Sequence, residues 1–174
     1  IVDLNTGELL SHTPEYLITK MVKVDYKPDT TCPNWLSFLD EIMGSDQEMI
    51  SYLQRAVGYS LTGDTSEQCI FILHGTGANG KSTFLSPINT ILQDYAMQSP
   101  VETFLAIRKK GANNDVARLQ GARFVTASEP NADQRFAESL LKQVTGSDTV
   151  SARFLNQEFF DFKPAFKLFL ATNH

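Results

Sequence analysis

The stretch Cys69-Ile-Phe-Ile-Leu-His74 runs directly into Gly75-Thr-Gly-Ala-Asn-Gly-Lys-Ser82 and then into Thr83-Phe-Leu-Ser-Pro-Ile-Asn-Thr-Ile-Leu92. The apolar run from Cys69 to Leu73 is short and rich in strand formers, the pattern of a strand covered on both faces. Residues 82–92 have the composition of a helix, with Pro87 expected to kink it or loosen its first turns. The loop between them matches G-x-x-x-x-G-K-[ST] in the strand-loop-helix context that this pattern requires. Glycines there let backbone N–H groups turn inward around phosphate oxygens, and the helix N-terminus adds its positive dipole. Gly75, Thr76, Gly77, Ala78, Asn79, Gly80, Lys81, Ser82 and Thr83 are therefore the candidate nucleotide-binding residues. Lys81 is expected to reach the β and γ phosphates, and Ser82 to ligate Mg²⁺.

Downstream, apolar runs at residues 124–127 and 168–171 read as further central strands, and residues 136–144 have helical spacing. Strands alternating with helices predict an α/β fold with a central, largely parallel sheet. Hydrolysis needs an acid at the end of another central strand to hold the metal and orient water. Ser128-Glu129 follows Arg123-Phe-Val-Thr-Ala127 in that position, so Glu129 is the candidate base and a second metal ligand. Asn173, ending the run that starts at Lys167, is a candidate to hold the attacking water or the γ-phosphate.

Upstream, Trp35, Phe38, Leu39 and Ile42 fall at helical spacing after Pro33, with Gly44 as a stop. Ser45 and Glu48 form a capping-box pattern, after which Ile50, Leu53 and Val57 share a face as far as Gly58. The turn-rich segment 59–67 marks a boundary between residues 1–63, a small helical subdomain, and residues 64–174, the nucleotide-binding core.

Between Glu129 and Asn173, the segment Asp148 to Pro164 carries two strand-like stretches around Leu155-Asn156-Gln157 and reads as a hairpin. Arg153, Asn156 and Gln157 are candidate nucleic-acid contacts, with Phe154 as a candidate base stack. Lys109 and Lys110, beside Arg108 and Gly111, form a basic loop that is as well explained by solvation as by DNA.

A net charge of −5 argues against binding nucleic acid through a bulk positive field, so any such contact is local. No apolar run approaches the roughly 20 residues of a membrane-spanning helix, and no membrane partner is expected. Cys32 and Cys69 make no disulfide framework, and His12, His74 and His174 show no zinc-ligand spacing. A cytoplasmic protein fits this composition. Opening at Ile1 and stopping at His174 just after an apolar run, the chain reads as a piece of a longer polypeptide.

Cys32-Pro-Asn-Trp35, Tyr52-Leu-Gln-Arg-Ala-Val-Gly-Tyr59, Gly77-Ala-Asn-Gly-Lys-Ser-Thr-Phe84, Ser128-Glu129, Thr145-Gly-Ser-Asp148, Arg153 and Lys167 to His174 together resemble the phage and plasmid primase-helicases. These are superfamily 3 helicases, akin to the poxvirus primase-helicase. The resemblance implies an AAA+ type P-loop ATPase that assembles as a hexameric ring of itself, hydrolyses ATP with Mg²⁺ and draws single-stranded DNA through its channel. It also implies a fused or associated primase domain, a helical collar before residue 64 and, for a phage or plasmid protein, the bacterial cytoplasm. By the same resemblance Gly75–Ser82 is the Walker A motif, Ser128-Glu129 the Walker B end, Asn173 the sensor of motif C, and the hairpin a channel-facing element. Many members carry two acids at the Walker B end; Ser128 here leaves Glu129 to serve both metal and water. The family's arginine finger follows motif C; Arg118, Arg123 and Arg135 are candidates for a neighbouring-site contact but precede motif C, the wrong part of the chain for that finger. The rival readings are another P-loop phosphotransferase and a nucleotide-gated assembly module of a replication initiator.

Overall fold

The computed structural model describes residues 1–106, 114–128 and 134–173. Helix α1 (Pro33–Ile42) starts with proline at a position where no backbone N–H is needed, and helix α2 (Gln47–Leu61) follows it. Its N-cap is Asp46, whose carboxylate accepts from the N–H groups of Glu48 and Met49, both at 3.0 Å. The capping box expected at Ser45 does not form. Ser45 takes φ +62° and donates its hydroxyl to Asp40 instead, so the helix begins one residue later on the stronger acceptor. Nor does Gly58 end α2. The helix continues to Leu61 because Ser60 is buried and donates back to the Ala56 carbonyl.

Strand β1 (Ile70–His74) leads into helix α3 (Lys81–Leu92), which runs through Pro87. Burial of Phe84, Leu85, Ile88 and Leu92 beneath it offsets the hydrogen bond that proline removes. Strand β2 (Ala96–Gln98), short helix α4 (Asn114–Ala117) and strand β3 (Phe124–Ser128) come next. Helix α5 (Glu138–Thr145), the antiparallel pair β4 (Val150–Ala152) and β5 (Phe160–Phe162), and strand β6 (Lys167–Thr172) complete the order.

The main sheet has the order β1-β6-β3-β2, with every neighbouring pair parallel. The fold is thus α/β with a parallel sheet, as the alternation of strands and helices predicts. Strand β6, last in the chain, enters between β1 and β3. Alternating side chains divide the core between two faces. Phe124 and Phe169 pack under α1, α2 and α3 with Leu39, Ala56 and Phe84. Val125, Ala127, Leu168 and Leu170 face the opposite side, with Val101, Phe104, Val144 and Phe166. Ring centroids of Phe71, Phe169 and Phe124 lie 4.5 and 4.6 Å apart in succession across three strands. Each such buried side chain is worth about 1.5–3 kcal/mol, which makes this face the firmest support of the loop that β1 carries. Strand β2 escapes sequence reading, since three residues after a helix show no alternation.

Candidate nucleotide site at the carboxyl edge of the sheet

Parallel strands put their carboxyl ends on one edge, so residues far apart in the chain converge there. His74 lies opposite Thr172, and Ser128 opposite Ala171. Gly75 and Asn173 therefore leave adjacent strands at the same level, tied by a 3.3 Å bond from the Gly75 N–H to the Thr172 carbonyl. Asn173 is exposed and sits between the end of β1 and the end of β3.

The loop 75–80 turns through left-handed backbone at Ala78 (φ +60°) and Gly80 (φ +84°), with Gly75 at φ +155°. A β-carbon on Gly75 would lie 1.9 Å from the Asn79 amide nitrogen, and one on Gly80 would lie 2.9 Å from Ile42 Cγ2. Glycine at both positions is what allows the loop to fold tightly and to dock on α1. Ala78 holds a conformation that is uncommon for residues with a side chain, a strain often found at ligand-binding turns.

Helix α3 begins with a glycine N-cap, no side-chain cap and no acidic residue in its first turn. Its leading N–H groups and the positive end of its dipole are thus unanswered by the protein itself. Thr76, Gly77, Ala78 and Asn79 are exposed, as are Ser82 and Thr83. Lys81 folds its ammonium back over the loop, donating to the Gly75 carbonyl and, at 2.9 Å, to Asn79 Oδ1. Donors without acceptors, one cation and an adjacent hydroxyl suit a polyphosphate. They also suit Mg²⁺, which prefers phosphate and water oxygens supplemented by one or two protein ligands. Ser82 is the candidate for such a ligand, and among the described residues no group of three or more His, Cys, Asp or Glu side chains is placed to hold a metal ion. Glu129, the other expected ligand and base, lies outside the described residues, as do Lys109 and Lys110.

The hairpin is present, as a two-stranded sheet separate from the main one. β4 and β5 pair with Val150 opposite Phe162 and Ala152 opposite Phe160, and Asn156 takes φ +59° at the tip beside Gln157. Leu155 N–H donates to Asn114 Oδ1 at 3.4 Å, tethering the tip to the start of α4. Arg153 lays its guanidinium over the Phe159 ring at 4.7 Å, while Phe159 itself is 62% exposed. Phe154 is half-buried, stacking on Phe160 at 5.7 Å and packing against the core.

At the opposite, amino edge, two basic residues are used structurally. Lys167 is buried and donates to the carbonyls of Thr62 (2.8 Å) and Asp64 (2.7 Å), over the Tyr59 ring. Burial lowers its pKa to about 8, against which the nearby Asp64 carboxylate acts. Arg123 donates to the Leu61 carbonyl at 2.6 Å and stacks on Tyr95, which removes it as a candidate for a neighbouring subunit's site. Two cations at the end of α2 answer its last carbonyls and its negative dipole end.

A family model described as a family of unknown function, DUF5906, matches residues 73–174, and one described as D5 N terminal like matches residues 1–44. "Putative helicase L207/L206" of Acanthamoeba polyphaga mimivirus is 31% identical over 182 residues, covering 99% of this chain and 18% of that protein. The chain belongs to DUF5906 and is of the primase-helicase family. "Putative helicase 022R" of Frog virus 3 is 28% identical over 86% of this chain and 16% of its own length. "Putative primase C962R" of African swine fever virus (isolate Tick/Malawi/Lil 20-1/1983) is 25% identical over 97% of this chain and 18% of its own. This primase-helicase segment thus spans less than a fifth of these relatives. Among solved structures, the A-form apo C-terminal region of NrS-1 has the same fold, with TM-score 0.67 and 13% identity over 83% of this chain and 34% of that one.

Proposed function

We propose that the chain is the ATP-driven motor segment of a replicative primase-helicase, hydrolysing ATP to translocate on single-stranded DNA. What supports this reading most directly is the shared carboxyl edge, where the 75–82 loop, Ser128 and Asn173 end three neighbouring parallel strands.

In such a site Lys81 leaves the carbonyls it now holds for the β and γ phosphate oxygens, which are stronger, charged acceptors. The leading amides of α3 donate to the same phosphates. Ser82 and Glu129 hold Mg²⁺, which when bound neutralises charge developing on the phosphates. Glu129 accepts the proton of the attacking water, and Asn173 hydrogen-bonds to the γ-phosphate or that water. A neighbouring copy in a hexameric ring supplies the arginine that completes each site. Arg153, Asn156 and Gln157 on the hairpin, with Lys109 and Lys110, contact the DNA strand. Residues 1–63 form the collar-like subdomain, residues 64–174 the ATPase core, and a primase domain is fused or associated.

The test is phosphate release by a protein extended beyond His174, with single-stranded DNA, double-stranded DNA or neither. Stimulation by single strands is expected. Transfer of phosphate to a small acceptor without response to DNA would instead favour a phosphotransferase. Binding without turnover would leave an assembly module.

A further inference from the structure

Beyond the loop itself, a cleft of about 400 Å³ runs from Ser82 along α3 to the ends of β2 and β3. Its polar lining includes Ser82, Asn89, Gln98, Thr126 and Ser128. Two of these are engaged with each other, since the Asn89 amide donates to the Leu85 carbonyl and to Thr126 Oγ1. Gln98 is different. It is the last residue of β2, opposite Thr126 in register, and the next N–H, of Ser99, donates to the Thr126 carbonyl at 2.9 Å. The backbone at Gln98 is thereby held against β3 two residues before that strand ends at Ser128. Its side chain is exposed and has no hydrogen-bond partner among the described residues.

Gln98 also lines a second cleft of about 430 Å³, shared with Ser128, that carries Glu102 and Arg118. It stands between the space next to Ser82 and the space open to Arg118, on the side of β3 away from Asn173. We propose that Gln98 positions the attacking water for hydrolysis at the 75–82 loop, an inference that rests on the ATPase reading above. A water molecule needs about 30 Å³, so this cleft has room for one beside a phosphoryl group. A primary amide suits the task because it accepts a hydrogen bond from water with its oxygen while donating to a phosphoryl oxygen with its nitrogen. No proton is taken by the amide; the water's proton goes to Glu129 or to phosphate, and the P–O bond to the leaving ADP breaks as the new one forms. The Asn89 amide nitrogen is already committed to Leu85 and Thr126, which leaves Gln98 as the unengaged primary amide in this cleft.

The experiment compares Gln98→Leu, Gln98→Asn and Lys81→Ala in the extended, assembled protein. Gln98→Leu should lower kcat by about 10²-fold, the scale of losing one positioned polar group in a reaction site. ATP affinity should change by less than about twofold, because the group acts in the transition state rather than in binding. Gln98→Asn should recover part of the rate. An unchanged kcat in Gln98→Leu, with Lys81→Ala inactive, overturns the assignment of Gln98 and spares the site. Parental activity in both overturns the ATPase reading itself. Loss of affinity and rate together, without recovery by asparagine, returns Gln98 to a packing role. Crystals grown with ADP and beryllium fluoride give a second readout that does not depend on rate. An ordered water within hydrogen-bond reach of the Gln98 amide is expected there, and an amide turned to solvent overturns the proposal.

Discussion

Each edge of the parallel sheet carries a lysine. At the amino edge, Lys167 is buried, answered by two carbonyls at the end of α2 and roofed by Tyr59. At the carboxyl edge, Lys81 rests on the carbonyls of its own loop, beside a helix start that no side chain caps. The same contrast separates the helices. α2 begins on Asp46 and ends on Lys167 and Arg123, so both its dipole ends are satisfied within the protein. α3 keeps its N-terminus open. One edge is thus closed for stability, and the other leaves its donors open to solvent.

The sharpest way to break this comparison is Lys81→Ala. It should lower ATP turnover by about 10²–10³-fold or more while leaving the thermal midpoint near the parent value, because the hydrogen bonds of Lys81 stay within its own exposed loop. Phosphate release and a melting curve on the same sample check both halves. Lys167→Met should do the reverse. Removing a charged donor from the Thr62 and Asp64 carbonyls should cost about 1.5–3 kcal/mol, read as a lower urea midpoint, with ATP affinity unchanged.

At the other end of α2, Asp46→Ala should cost about 1 kcal/mol, the usual cost of losing an N-cap. A loss much larger than that would mean Asp46 does more than cap. A further effect concerns pH. Because Lys167 titrates near 8 in the folded chain rather than at its ordinary 10.5, the unfolded chain binds more protons between those values. Stability from this group is therefore fully present above 10.5 and is lost as pH falls through about 8. Urea midpoints at pH 7 and pH 10 should show this increment in the parent, and Lys167→Met should lack it.

The carboxyl edge was largely legible because its loop is built from residue types that few other structures require at that spacing. Gly75, Gly80 and Lys81 are each needed for a steric or electrostatic reason visible in the sequence itself. The amino edge was not legible. Lys167 and Arg123 find carbonyls on a helix far earlier in the chain, and nothing in the local pattern of β6 or β3 points there. Gln98 was hidden for another reason: β2 is too short to show a period, so its last side chain could not be assigned to any edge. At α2 the error was one of competing acceptors, with the Asp46 carboxylate taking the cap that Ser45 matched by spacing.

Strand β1 has a further consequence for handling the protein. Among the described residues it pairs with β6 on one side only, and Ile72 in its middle is 55% exposed. An apolar strand with an unpaired edge is a template for any other extended chain, since backbone donors and acceptors and a greasy side chain are presented together. Preparations of this chain by itself are therefore prone to edge-to-edge aggregation that grows with concentration. Light scattering that rises regardless of nucleotide marks that process and separates it from ordered oligomers.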